Sequence, residues 1–115
     1  MKFTELGLNS ALLRALEDEG YTDPTQIQVE AIPIVLAGRD VMAGAQTGTG
    51  KTAAFTLPLL QQLLIHANTS FSPARHPVRA LILVPTRELA VQVEESVRAY
   101  GRHVALRSTT VYGGM

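Results

Sequence analysis

Ala45-Gln46-Thr47-Gly48-Thr49-Gly50-Lys51-Thr52 decides how this chain of 115 residues is read. The run has the form of a phosphate-binding loop whose first position is Gly or Ala, with Ala45 in that place. Gly48 and Gly50 let the backbone curl until successive N–H groups face one centre. A helix beginning at Lys51 would add its positive dipole end and unpaired donors. Lys51 brings a mobile full charge for β- and γ-phosphates, and Thr52 a hydroxyl for Mg²⁺. The loop therefore predicts a nucleoside triphosphate, without choosing its base.

Outward from this loop, the pattern alternates. Residues 41–45 form a short apolar run without helical period, and 78–84 and 104–112 are similar, so three buried strands are expected. Helices are expected at 51–66 after the first strand and, with Leu89, Val93 and Val97 recurring every four residues, after Pro85-Thr86. Strand–helix alternation implies an α/β fold with a parallel sheet and crossover helices. Upstream, Asn9 or Ser10 caps a helix reaching Glu19 and stopped by Gly20, and a second helix follows Thr25 and ends near Gly38. Pro33 and Pro58 are expected to kink their helices. Residues 68–77 read as a polar surface loop. The organisation predicted is a helical segment over 1–38 and the first part of a nucleoside-triphosphate-binding domain over 39–115.

Composition narrows the classes. Apolar residues make up 46% of the chain, enough for a packed core, and the absence of Cys excludes disulfides and thiolate metal sites. No apolar leader is visible, and the stretch 57–65 is too short to cross a bilayer; a cytoplasmic protein is expected. Net charge is zero, but it is divided. Residues 1–74 hold four Lys/Arg and seven Asp/Glu, a balance of −3, whereas 75–115 hold six Arg and three Glu, a balance of +3. A basic second half points weakly toward a polyanion. His66, His76 and His103 lack metal-ligand spacing and read as surface or loop residues.

The base is addressed by Gly20-Tyr21-Thr22-Asp23-Pro24-Thr25-Gln26-Ile27-Gln28, preceded seventeen residues upstream of its glycine by Phe3. This arrangement resembles the Q motif of DEAD-box RNA helicases, where glycine, an aromatic, Pro-Thr and Ile-Gln recur with an isolated upstream aromatic. The resemblance implies that Gln28 reads adenine, Tyr21 stacks on it and Phe3 helps close the base pocket, with Thr25 part of the motif. A carboxamide offers donor and acceptor side by side, matching adenine N6 and N7; guanine, with two acceptors there, is disfavoured by about 1–3 kcal/mol. The same Thr25-x-x-Gln28 spacing is also a helix capping box, in which Gln28 returns a hydrogen bond to its cap residue. Residues alone leave both roles open.

Pro85-Thr86-Arg87-Glu88-Leu89-Ala90 resembles motif Ia of the same family, which implies RNA phosphates at Pro85, Thr86 and Arg87. Gly113-Gly114 resembles its GG element, implying close backbone approach to RNA with little sequence specificity. Taken together, the resemblance implies an incomplete RecA-like P-loop domain. Its cofactors would be ATP and Mg²⁺, held by 45–52, with Lys51 catalytic and Thr52 the metal contact. Its partner would be RNA. Residues 78–90 with the 45–60 stretch look closest to the bacterial RhlE-like subgroup. Asp-Glu-Ala-Asp and Ser-Ala-Thr sequences do not occur in these 115 residues, so the expected activity of an ATP-dependent RNA helicase belongs to a longer protein and the isolated chain is expected to be inactive. The competing readings are another P-loop helicase or translocase acting on DNA and a non-catalytic nucleotide- or RNA-binding module.

Overall fold

The computed structural model describes residues 2–44, 50–67 and 79–111. Its elements are α1 (Ser10–Asp18), α2 (Gln26–Leu36), α3 (Lys51–Leu63) and α4 (Arg87–Tyr100), with single 3-10 turns at Phe3–Glu5 and Leu64–His66.

Three of the four helices, α1, α2 and α4, start at a side chain that caps the first turn. Of the two residues able to cap α1, Asn9 does so, its side chain accepting from the Ala11 N–H at 2.8 Å. Thr25 and Gln28 form a complete capping box on α2. Thr86 caps α4 by accepting from Leu89 N–H at 3.1 Å. Two helix ends share one device. After α1, Gly20 N–H donates to the Glu17 carbonyl and Tyr21 N–H to that of Leu16; after α2, Gly38 and Arg39 repeat it on Val35 and Ile34. Both glycines take positive φ, +79° and +80°, as this left-handed stop requires. Pro33 and Pro58 lie inside α2 and α3, which continue on either side of them.

The core is built from both halves of the chain. Phe3, Leu6, Leu8, Leu12, Leu16 and Ile32 meet Ala53, Leu57, Leu60 and Tyr100 in one apolar cluster. Here α2 packs on α3, and α3 packs in turn on α4. Burying side chains of this size stabilises by roughly 1.5–3 kcal/mol each, so the four-helix assembly rests chiefly on Leu12, Leu16, Ile32 and Leu57, which are among the largest side chains fully buried.

The expected parallel sheet is not formed among the described residues. Residues 41–44, 79–84 and 104–111 are assigned no strand. The reason is that strand hydrogen bonds, unlike helical ones, lie between segments. A β-prone run with no partner beside it has no ladder to join. Leu81 and Leu83, read as buried strand residues, are 77% and 84% exposed. With α4 and the end of α3, residues from 79–84 and 104–111 border a depression of about 1460 Å³.

Candidate functional site

Three groups from two distant stretches meet at the start of α3. Gln28 is only 6% exposed, and both atoms of its amide are engaged. Its Oε1 accepts from the Thr25 N–H at 2.9 Å, and its Nε2 donates to the Gly50 carbonyl at 3.2 Å. An N–H can only donate and a carbonyl only accept, so these neighbours fix which way the amide faces. The Gly50 carbonyl also accepts from Ala54 N–H at 3.1 Å, the first bond of α3. Gln28 thus ties the residues preceding α2 to the helix that follows the loop.

Gly50 is required here on two counts. Its φ is +86°, and a Cβ would stand 2.3 Å from Gln28 Nε2 and 3.1 Å from Thr25 Oγ1. Having no side chain, Gly50 gives α3 no side-chain cap. The first-turn N–H groups that a capping Ser or Asp would have satisfied are left for another acceptor. Lys51 is exposed, and Thr52 is half-buried on the next position. The Thr52 carbonyl accepts from Thr56 Oγ1 at 2.7 Å, leaving its own hydroxyl out of that bond. Ala45, Gln46, Thr47, Gly48 and Thr49 lie outside the described residues. No group of three or more His, Asp or Glu capable of holding a metal occurs among the described residues. A single hydroxyl, as at Thr52, suits Mg²⁺ whose remaining ligands are phosphate oxygens and water.

The two aromatics expected at the base fall in different places. Phe3 is 5% exposed and belongs to the apolar core. Tyr21 is 51% exposed and borders a cleft shared with Glu19, Tyr100 and the side of α4. Just outside the two aromatics, Lys2 and Asp23 pair at 2.5 Å on the surface. Its hydrogen bond with Lys2, then Lys2's charge, holds the Asp23 carboxyl below its usual range.

At the other candidate contact, Pro85, Thr86 and Arg87 are exposed at the N-terminus of α4. The Thr86 hydroxyl is engaged in capping, which leaves the other first-turn amides as the donors for a phosphate. Gly113 and Gly114 lie outside the described residues, as do His76 and the side chain of His66. His103, expected on the surface, is exposed and meets Asp18 there at 2.6 Å.

Sequence reasoning overlooked Gln61. Its Oε1 accepts from Asn9 N–H at 2.6 Å while its Nε2 donates to the Gly7 carbonyl at 2.8 Å, fastening the 7–9 turn to α3. Gln62 donates to the Val35 carbonyl at 2.6 Å near the end of α2. The available signal was a pair of amides interrupting an apolar helix face.

A glycine-started helix with Lys and Thr at its first positions, tied to a buried glutamine, marks the P-loop class of nucleotide-binding folds. The chain belongs to the DEAD/DEAH box helicase family, whose model matches residues 25–115. It is 50% identical over 113 residues to the ATP-dependent RNA helicase SrmB of Escherichia coli, covering 98% of this chain and 24% of that protein. Identity to the DEAD-box ATP-dependent RNA helicase RhpA of Helicobacter pylori is 45%, covering 97% of this chain and 21% of RhpA. The chain therefore spans about a fifth to a quarter of these relatives. Among solved structures, it resembles the RNA helicase Prp28 from Chaetomium thermophilum bound to ADP, with TM-score 0.85, 41% identity, and coverage of 98% of this chain and 27% of that one. A DEAD box protein from Methanococcus jannaschii gives TM-score 0.80 and 35% identity, covering this chain completely and 30% of its own. No described helix is long and apolar enough to cross a membrane.

Proposed function

We propose that this chain supplies the ATP-binding grip and part of the RNA-binding surface of an ATP-dependent RNA helicase whose RecA-like domain carries a parallel sheet. The observation that carries the reading is the Gln28 bridge between Thr25 and the Gly50 carbonyl. It places a carboxamide suited to adenine against the helix that would receive the phosphates. An amide nitrogen has two hydrogens and an amide oxygen two lone pairs. One of each is used by the protein, and one of each remains for adenine N7 and N6. Capping and base reading are then two uses of one side chain: the cap orients the amide that the base meets.

In this reading Lys51 neutralises charge on the β- and γ-phosphates, and residues 45–50 wrap the phosphates with backbone donors. Mg²⁺, held by the Thr52 hydroxyl and the nucleotide, supplies further neutralisation during phosphoryl transfer. Phe3 acts by packing beneath the base-reading segment. Pro85, Thr86, Arg87, Gly113 and Gly114 seat RNA phosphates, so sequence preference is weak. The 115 residues bind ATP but do not hydrolyse it by themselves. The ADP carried by the Prp28 neighbour supports the nucleotide assignment.

Lys51→Ala in the intact protein should abolish RNA-stimulated ATP turnover. Gln28→Glu retains the acceptor but loses both donations, and should lower ATP affinity about tenfold while narrowing the preference over GTP. Undiminished turnover in the first variant, or unchanged nucleotide preference in the second, would refute the assignment.

A further inference from the structure

Two glutamines make the same pair of bonds at opposite ends of α3. At the first, Gln28 accepts from the N–H of Thr25, the cap residue of α2, and donates to the Gly50 carbonyl. At the second, Gln61 accepts from the N–H of Asn9, the cap residue of α1, at 2.6 Å and donates to the Gly7 carbonyl at 2.8 Å. Both glycines stand at φ +86°. In α2 the glutamine sits three positions after its cap, as a capping box requires. In α1 that position is Leu12, which is fully buried and carries no polar group. The acceptor for Asn9 N–H therefore comes from another helix, 52 residues along the chain.

What Gln61 holds is a strap. Residues 3–9 lead from the first 3-10 turn to the cap of α1. Phe3, Leu6 and Leu8 enter from them into the cluster that contains Ile32 of α2 and Ala53, Leu57 and Leu60 of α3. Ala53, Leu57 and Gln61 recur every four residues, so the apolar cluster and the amide lie along one face of α3. Ile32 stands one turn beyond Gln28, on the α2 face that carries the carboxamide. Ahead of Phe3, Lys2 pairs with Asp23, two residues before Thr25. The strap is thus pinned by polar groups at both ends and packed by apolar ones between them. Apolar burial has no direction of its own, whereas a two-point amide bond fixes register. Gln61 therefore decides where along α3 the strap sits, and with it the depth of the cluster on which Ile32 and the Gln28 amide rest.

We propose that Gln61 is a positioning residue for nucleotide binding: by fixing the strap on α3 it sets how α2 presents Gln28 to the base. That role rests on the adenine reading of Gln28 proposed above. The test measures KM and kcat for RNA-stimulated turnover of ATP and of GTP by the intact protein. Gln61→Met keeps the length of the side chain and removes both bonds. It should raise KM for ATP about three- to tenfold, leaving kcat and the KM for GTP within about twofold. Gln61→Glu retains the acceptor for Asn9 and loses the donor for Gly7. It should move KM for ATP in the same direction, and it carries the test if the first variant does not fold. Arg102→Gln loosens the ties of that side chain to Asp18, Glu19 and the Ala99 carbonyl. It controls for a general loss of stability and should keep KM for ATP within about twofold. An ATP KM unmoved in both Gln61 variants would overturn the proposal, as would parallel rises for ATP and GTP or an equal rise in Arg102→Gln. Gln28→Glu, measured alongside, separates this role from the reading beneath it. If that variant leaves nucleotide preference unchanged, the adenine reading falls and the positioning role with it. If it narrows the preference while Gln61→Met does not, the positioning role alone falls.

Discussion

Gly50→Ala probes the meeting point of the proposed base-reading and phosphate-binding segments more sharply than removing either side chain. The added methyl would lie 2.3 Å from Gln28 Nε2, and the backbone would have to hold φ +86° with a Cβ present. The left-handed conformation costs an L-residue about 1–2 kcal/mol. Displacing Gln28 breaks its bond to the Gly50 carbonyl and leaves a buried amide short of a partner, at about 1–2 kcal/mol more. The variant should therefore lose about 2–4 kcal/mol of stability. At 4–8 °C per kcal/mol for a unit of this size, the melting temperature falls by roughly 10 °C or more.

A double-mutant cycle separates the two contributions. In a Gln28→Ala background the clashing amide is gone, so Gly50→Ala should cost only the backbone part, about 1–2 kcal/mol. The coupling energy is then about 1–2 kcal/mol, readable from urea denaturation of the four proteins. Additivity to within about 0.5 kcal/mol would show that Gln28 and Gly50 do not touch, and would remove the basis for linking base to phosphate.

Other perturbations test the scaffold around the site. Thr86→Ala removes the cap of α4 and should cost about 1 kcal/mol, with Thr86→Ser restoring it; equal stability of all three would dismiss the cap. Gln61→Leu releases the Asn9 N–H and the Gly7 carbonyl together and should lower the urea midpoint by an amount equivalent to about 1 kcal/mol. An unchanged midpoint means that the 7–9 turn holds itself. Tyr100 ionises near 10 when unfolded and about 12 when folded, mainly through burial. Below pH 10 both states are protonated; between 10 and 12 the unfolded state loses its proton first, so stability falls as pH rises, by less than the ~2.7 kcal/mol of a full two-unit shift once solvent screening is allowed for. Tyr100→Phe should flatten that alkaline decline, and a slope as steep as wild type would place its origin elsewhere.

What was legible in the sequence was whatever is decided within a turn or two of chain. Asn9, Thr25 and Thr86 announce helix starts because their partners lie two or three residues away. Gly20 and Gly38 announce ends because the stop needs positive φ at one residue. The strand-like runs, unpaired among the described residues, depend on the converse. Leu81 and Leu83 have the residue types of a buried ladder, but the pairing segment is a matter of tertiary neighbours. Tyr21 shows the same limit: it borders a recess with Tyr100, seventy-nine residues later in the chain, a neighbour no local pattern names.

The case of Gln28 goes further, because under the proposed function the two roles legible in its spacing need one another. A glutamine that merely capped α2 would satisfy Thr25 and leave its nitrogen to solvent; a glutamine that merely read a base would have no reason to be 6% exposed. Its bond to the Gly50 carbonyl accounts for both the burial and the fixed orientation. Any ligand that engages the amide's remaining hydrogen and lone pair therefore acts on a group already bound to the first residue before α3. Base and phosphate binding then share a free-energy term, and linkage makes the effect reciprocal. Phosphate contacts that fix Gly50 should tighten adenosine's hold on Gln28 to the same factor by which the base tightens the hold on phosphate. Cutting the bridge with Gln28→Ala should make the two independent, a loss of coupling that a uniform loss of affinity would not produce.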